Sequence, residues 1–169
     1  PQKTRGKVAV IGSGPAGLTV AGDLAREGFN VMIFEGEQEA GGVLMYGIPE
    51  YRLPKDVVRK EVKKIEALGV TFITQCMVGQ AITVDDMFEQ GFDAVFIGSG
   101  TALPKSLDTP GYTLRGVTQS SYFLRMASLC NTGSIGREEV PVKQGDIVGV
   151  IGGGNVAMDA ARTALRMGA

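Results

Sequence analysis

The chain contains no histidine and no tryptophan. Without imidazole, a Ser-His-Asp triad, a His-ligated metal and a histidine general acid or base are all excluded. Cysteine is limited to Cys76 and Cys130, far apart in sequence. Two such thiols encode no disulfide scaffold, no C-x-x-C pair and no Cys-held zinc or iron-sulfur cluster. They read as two small buried hydrophobes of an intracellular protein. Proline is scarce, at 7 of 169 residues, and glycine follows no Gly-X-Y period, so collagen-like and low-complexity classes are out. Neither sign of charge dominates: 17 Lys+Arg face 18 Asp+Glu. That balance offers no basic stripe for a phosphate backbone, and no nucleic-acid partner is expected. No apolar run approaches the ~20 residues of a membrane span. Lys3, Arg5 and Lys7 precede an apolar stretch in the manner of a leader, but Gly12, Gly14, Pro15 and Gly17 interrupt it. The expectation is a soluble cytoplasmic protein with no membrane partner. Its chemistry must come from a bound cofactor or from another polypeptide.

What is abundant is glycine, 25 residues, roughly twice the ordinary ~7% usage. Several of these glycines punctuate a regular pattern. Val8–Ile11 is a short apolar, β-branched run that reads as a buried parallel strand. Pro15–Arg26 reads as a helix, with Leu18, Ala21 and Ala25 on one side and Gly28 as its stop. Val31–Phe34 is a second strand, and residues 7–35 together form one βαβ unit. A non-periodic stretch from Gly36 to Pro54 follows, far longer than an ordinary αβ connection, and reads as a functional loop. Its Tyr46 and Tyr51 either flank a ligand or anchor the loop.

Lys55–Leu68 is an amphipathic helix with Val58, Val62, Ile65 and Leu68 on its apolar face and Gly69 as its cap. Its basic outer face reads as solvated. Val70–Ile73 and Asp93–Ile97 read as strands, and Val84–Glu89 as a short helix. Leu103–Gly116, with Pro104 and Pro110, is turn-rich. Thr118–Leu129 reads as a helix with Tyr122, Phe123 and Met126 in the core, and Asn131–Gly145 as a polar linker or surface loop. Ile147–Ile151 reads as a strand, Gly152–Gly154 as a turn and Asn155–Met167 as a helix. Strand, glycine turn and helix thus occur twice.

Gly12-Ser13-Gly14-Pro15-Ala16-Gly17 fits G-x-G-x-x-G, directly after a strand and opening a helix. Gly12 permits the tight turn, Gly14 lets a pyrophosphate approach the backbone, and Gly17 lets the helix pack close to the sheet. The helix N-terminus turns amide groups and partial positive charge toward the phosphates. Glu35 closes the second strand 18 residues after Gly17, where a carboxylate can accept from both ribose hydroxyls and repel a 2′-phosphate. Gly152-Gly153-Gly154-Asn155-Val156-Ala157 fits G-x-G-x-x-A. Ala157, Ala160, Ala161 and Ala164 make its helix small enough for close contact with a sheet. Asp159, early in that helix, is favoured there by the helix dipole and is assigned no chemistry. The acid or Arg that would choose between NAD and NADP lies beyond Ala169, so these residues leave NADH and NADPH both open. A strand and helix alone leave a sheet edge uncovered. Either a partner copy of the chain covers that edge, as in a homo-oligomer, or the chain is part of a longer polypeptide.

KVAVIGSGPAGL (7–18), FE (34–35), GGVLMYGIPEYRLPK (41–55), GSG (98–100) and VIGGGNVAMDAARTALRMGA (150–169) together resemble the small subunit of NADPH-dependent glutamate synthase and its flavin-containing relatives. The resemblance covers nearly the whole chain. It implies a Rossmann-like α/β fold, a parallel sheet with flanking helices and a truncated second nucleotide-binding unit. It implies an FAD-binding domain over 1–108, a connecting helix and linker over 109–145, and the start of an NAD(P)H-binding domain over 146–169. FAD would lie near Gly12, Gly14, Pro15, Ala16 and Gly17, with Glu35 on the adenosine ribose. Gly42, Leu44, Arg52 and Leu53 would line the ribityl–flavin region, Val78 the adenine, and Gly98 and Gly100 the dinucleotide. Gly153, Gly154, Asn155 and Val156 would meet the pyrophosphate of NAD(P)H, with NADP favoured. The implied activity is an oxidoreductase passing a hydride from NAD(P)H to FAD and electrons onward to an iron-sulfur protein or subunit. The family's cysteine-rich iron-sulfur domain, the rest of its NADPH domain and its C-terminal return to the flavin are missing, so the chain looks like a fragment cut at both ends. The competing expectation is a non-catalytic FAD-binding module whose second loop stays empty.

Overall fold

The computed structural model describes residues 4–101, 103, 105 and 107–169. Lys3 of the leader reading and Pro104 of the turn-rich stretch lie outside the described residues. Four apolar runs form strands β1 (Lys7–Ile11), β2 (Asn30–Phe34), β3 (Thr71–Ile73) and β4 (Ala94–Ile97). All pair in parallel, in the order β3-β2-β1-β4, with Val10 beside Ile33 on one side and Phe96 on the other. Alternate residues go to opposite faces, as a pleated strand requires. Val10, Val31 and Ile33 pack with Leu18, Ala21 and Ala25 of helix α1 (Pro15–Arg26). Ala9 and Phe34 pack on the other face with Met87 and Phe92, around helix α4 (Val84–Glu89). Helix α3 (Lys55–Ala67) adds Val62 and Ile65 to the first face. Fully burying such an aliphatic side chain contributes about 1.5–3 kcal/mol. Both faces of the sheet are therefore covered, which is why the strands lack polar alternation.

The chain divides into two compact units. One runs to Met45 and resumes over Leu53–Gly100; it holds the sheet. The other consists of Tyr46–Arg52 and Thr101–Ala169. Its core is Phe123 and Ala127 of helix α5 (Ser120–Asn131), Ala160 and Ala164 of helix α6 (Asn155–Arg166), and Val140 and Val142 between them.

Three expectations change in this second unit. Ile147–Ile151 is not a strand: its backbone joins no ladder, and Ile147 and Ile151 are exposed. A strand needs a neighbour to take up its N–H and C=O groups, and none in the described part of this unit offers one. Consequently the alanine face of α6 packs against α5 and Val140–Val142 rather than against a sheet. The 131–145 stretch is not simply polar surface either. Val140 and Val142 are buried, and the Arg137 guanidinium donates to the carbonyls of Val142 and Met167. In α5, Phe123 is buried as expected, but Tyr122 is exposed. Among the described residues no helix is long and apolar enough to cross a membrane.

Candidate dinucleotide site

The chain leaves β1 for β2 on one side, and β4 lies on the other. In an open parallel sheet, the crevice at the carboxyl ends of the strands flanking such a reversal is where ligands bind. The Gly12–Gly17 loop follows β1, and Gly98–Gly100 follows β4. The three glycines of the first loop do different work. Gly12 has φ +93°, and a Cβ there would sit 2.5 Å from the Gly98 carbonyl oxygen. A Cβ on Gly17 would be driven into the carbonyl of Gly12. Gly14 is the opposite case: its backbone is extended, and a Cβ would meet nothing within 4 Å. Gly14 faces open space at the mouth of α1, whose N-terminus no side chain caps. Pro15 and Ala16 of the first turn are exposed, and Gly17 is buried.

Glu35 follows β2 and is 7% exposed. Its Oε2 accepts from the Ser13 amide at 2.9 Å and from the Ser13 hydroxyl. Its Oε1 accepts from the Glu37 amide at 2.9 Å. A carboxylate has about four lone-pair sites, so these donors leave about one for a ligand hydroxyl. The carboxylate is thereby fixed beside the glycine loop.

The long loop is held by side chains instead of by a ladder. The Gly41 amide donates to Ser13 Oγ at 2.9 Å. A Cβ on Gly42, which has φ +53°, would press on Gly14 Cα at 2.9 Å, so the two glycine segments lie against each other. Val43–Tyr46 forms a short helical turn, α2. Lys55, buried at the head of α3, donates from Nζ to the Leu44 carbonyl at 2.8 Å. Arg59 clasps Glu39 with Nε and Nη2, at 2.7 and 3.1 Å.

That hydrogen bond from Arg59 is the chief reason the Glu39 carboxyl is held below its ordinary value. A depressed folded-state pKa gives stabilisation that is full above the unfolded value, about 4.3. It is lost as the pH falls through the folded value. Both side chains are 40% exposed, so solvent screening keeps the gain to about 0.5–1 kcal/mol. Arg59→Ala is expected to lower the urea midpoint at neutral pH, with the gap to the unsubstituted protein closing toward pH ~3.

Leu53, half-buried, opens the return of the chain to this unit. Val78 is half-buried against the Met87–Phe92 cluster and bridges to Ile82. Gly98 accepts no Cβ without pressing on Phe96 at 3.0 Å, whereas Gly100, with φ +72°, is open.

The second unit carries the other glycine loop. Gly152 has φ +126°, and Cβ atoms on Gly153 and Gly154 would meet nothing within 4 Å. Gly153, Gly154, Asn155 and Val156 are exposed at the head of α6, which no side chain caps. Arg52 also belongs to this unit. Its Nη1 donates to Asp159 Oδ2 at 2.7 Å, and Asp159 is 5% exposed. The Tyr51 hydroxyl donates to the Asp159 carbonyl at 3.4 Å, and its ring lies under Arg162 and Arg166, 4.5 and 4.0 Å from the centroid. Of the two roles open to Tyr51, the observed one is loop anchor. Asp159 is in an ion pair, which the helix-dipole reading does not anticipate. Sequence reasoning also passed over Ser13, Lys55 and the Glu39–Arg59 clasp. Only the folded contacts reveal these, because a Ser inside G-x-G or a Lys at a helix start carries no distinguishing pattern.

The family described as pyridine nucleotide-disulphide oxidoreductase matches residues 6–169. Among individual proteins, the chain is 44% identical over 165 residues to the NADP(+)-dependent formate dehydrogenase subunit beta of Moorella thermoacetica, covering 96% of this chain and 22% of that protein. It is 38% identical over 169 residues to the glutamate synthase [NADPH] small chain of Bacillus subtilis (strain 168), covering 98% of this chain and 34% of the relative. The chain thus spans about a fifth to a third of these relatives. The fold is similar to Mycobacterium tuberculosis FprA in complex with NADPH, with TM-score 0.77 and 23% identity over 94% of this chain and 36% of that one.

Proposed function

Because the chain belongs to the pyridine nucleotide-disulphide oxidoreductase family, we propose that it is part of a flavoprotein oxidoreductase of the glutamate synthase small-subunit type. In this reading NAD(P)H gives a hydride to FAD, and electrons pass onward to iron-sulfur centres of a partner protein or subunit. FAD is assigned to the sheet-bearing unit and NAD(P)H, with NADPH favoured, to the second glycine loop. The observation that carries the reading is the Glu35 carboxylate, fixed to Ser13 within a glycine loop whose next residue, Gly14, is open and leads into the uncapped head of α1. Those are the parts a dinucleotide needs: an acceptor for a ribose hydroxyl, room for a pyrophosphate against backbone, and amides directed at its charge. The donor set therefore fits FAD.

Bound FAD supplies the redox chemistry itself. The chain's own residues bind and orient. Gly14, Pro15, Ala16 and Gly17 receive the pyrophosphate, and Glu35 accepts from the adenosine ribose with its remaining lone pair. The Val78 backbone meets the adenine. Gly42, Leu44 and Leu53 line the ribityl side, and Gly98 and Gly100 close the crevice beyond β4. Arg52 belongs to the second unit, where its guanidinium is engaged by Asp159. Gly153, Gly154, Asn155 and Val156 take the NAD(P)H pyrophosphate. No proton relay through imidazole is required.

The second reading is a non-catalytic FAD-binding module. It is favoured by one feature: 147–151 forms no strand, so the second glycine loop rises from an exposed segment without regular structure. An absorbance spectrum of the purified protein mixed with FAD and then NADPH separates the two. Flavin bands that bleach with NADPH are the expected result. Flavin that stays oxidised selects the binding module. A protein that retains no flavin overturns both readings.

A further inference from the structure

Ser13 is the variable residue inside G-x-G, and its side chain is entirely buried. Its three polar contacts join three separate stretches of chain. Its amide donates to Glu35 Oε2 at 2.9 Å, and its hydroxyl donates to the same oxygen. The hydroxyl oxygen in turn accepts from the Gly41 amide at 2.9 Å. One proton and one lone pair of a single hydroxyl thus link the end of β2 to the start of the long loop. A Cβ on Gly42 would press on Gly14 Cα, so any drift of Gly41 moves the backbone that packs against Gly14.

We propose that Ser13 is a positioning residue for dinucleotide recognition: its hydroxyl sets the Glu35 carboxylate and the Gly41–Gly42 turn before the ligand arrives. This rests on the FAD reading of the same loop. Ser13 reaches the ligand only through Glu35 and Gly41. Without the hydroxyl, Glu35 keeps its two amide donors, but Oε2 loses one of the two bonds that hold it. The buried Gly41 amide also loses its acceptor, and an unmet buried donor is costly. Holding groups in place before binding raises affinity by removing that ordering cost from the binding step.

The test measures affinity of the apoprotein for FAD and for its analogue lacking the 2′-hydroxyl of the adenosine ribose, with Ser13→Ala and Ser13→Gly. The glycine variant retains the amide and introduces no new atoms, so it serves if the alanine variant does not fold. The expected result is about tenfold weaker FAD binding, with a reduced preference for FAD over the deoxy analogue. In a Glu35→Gln background the same Ser13 substitution is expected to cost much less, because the two residues act on one ligand group. A general loss of structure would weaken both ligands alike and leave the preference intact; that result overturns the proposal. So does a variant that binds FAD as tightly as the unsubstituted protein, or more tightly through the freed Glu35 lone pair. If the unsubstituted protein binds neither ligand, the FAD reading falls and this proposal with it.

Discussion

Gly17→Ala is expected to destabilise the sheet-bearing unit by about 3 kcal/mol or more, while Gly14→Ala leaves its stability within about 0.5 kcal/mol. Both substitutions add one methyl group three positions apart. The difference lies in what that methyl meets. On Gly17 it runs into the backbone carbonyl of Gly12, which is held at the end of β1, the strand flanked by β2 and β4. The Gly12 amide donates to Phe34 O at 2.8 Å, and the Gly98 amide donates to Ile11 O at 2.8 Å. Backbone so held cannot swing aside as a side-chain tip could. The helix must instead retreat from the sheet, opening the contacts of Leu18, Ala21 and Ala25 with Val10, Val31 and Ile33. Urea unfolding checks this, with the midpoint falling by about 1 M or more for a typical slope.

On Gly14 the methyl meets nothing, and the extended backbone is open to any residue. Stability is therefore spared, but the methyl occupies the approach to the α1 amides. Gly14→Ala is expected to weaken FAD binding by at least about tenfold, since a ligand phosphate must withdraw from those donors or displace the loop. Equilibrium binding read by flavin fluorescence provides the measure. FAD binding unchanged in Gly14→Ala would show that the open face of Gly14 receives no phosphate, and equal stability losses in the two variants would show that it is not open.

The contrast also shows what the sequence could and could not convey. The glycine motif names three positions and assigns each a task from one dimension of information. The turn and helix-packing tasks depend only on a strand, a tight turn and a helix following one another. Those elements were legible because Val8–Ile11, Pro15–Arg26 and Val31–Phe34 combine apolar runs with proline and glycine boundaries. The central strands and α1, α3 and α4 fall where these signals put them. Ile147–Ile151 carries the same β-branched signal and forms no strand. Strand formation depends on a neighbour, and a local run of apolar residues contains no statement about one. Val140 and Val142 fail in the other direction: two valines amid polar residues read as surface, and tertiary packing buries them. Ser13, Lys55 and Asp159 stayed hidden because their roles are set by partners 28, 11 and 107 positions away.

Arg52 and Asp159 supply the second large effect. The Asp159 carboxylate is 7% exposed, and Arg52 is its charged partner at 2.7 Å. Removing the cation strands a buried anion, whereas removing both charges strands nothing. Arg52 is itself 42% exposed, so water reaches the pair and the loss is smaller than for a wholly buried one. Arg52→Ala is expected to destabilise the second unit by about 2–3 kcal/mol. Arg52→Met with Asp159→Leu is expected to recover most of that loss. The double-mutant cycle should give a coupling above about 1 kcal/mol. Tyr51 reports on the same junction, since its ring lies against Arg162 and Arg166 and its hydroxyl against the Asp159 carbonyl. With Arg52 gone, amide hydrogen exchange over 46–52 should accelerate, while exchange in β1 and β2 stays unchanged. Additive single effects, or faster exchange spreading equally into the strands, would rule out the ion pair as the fastening of this segment. The segment Tyr46–Arg52, the last residue of α2 and the loop after it, groups with α6 although the chain on either side belongs to the sheet-bearing unit. A loop with no ladder of its own keeps that allegiance only through side chains, and Arg52 is the strongest of those it offers to Asp159.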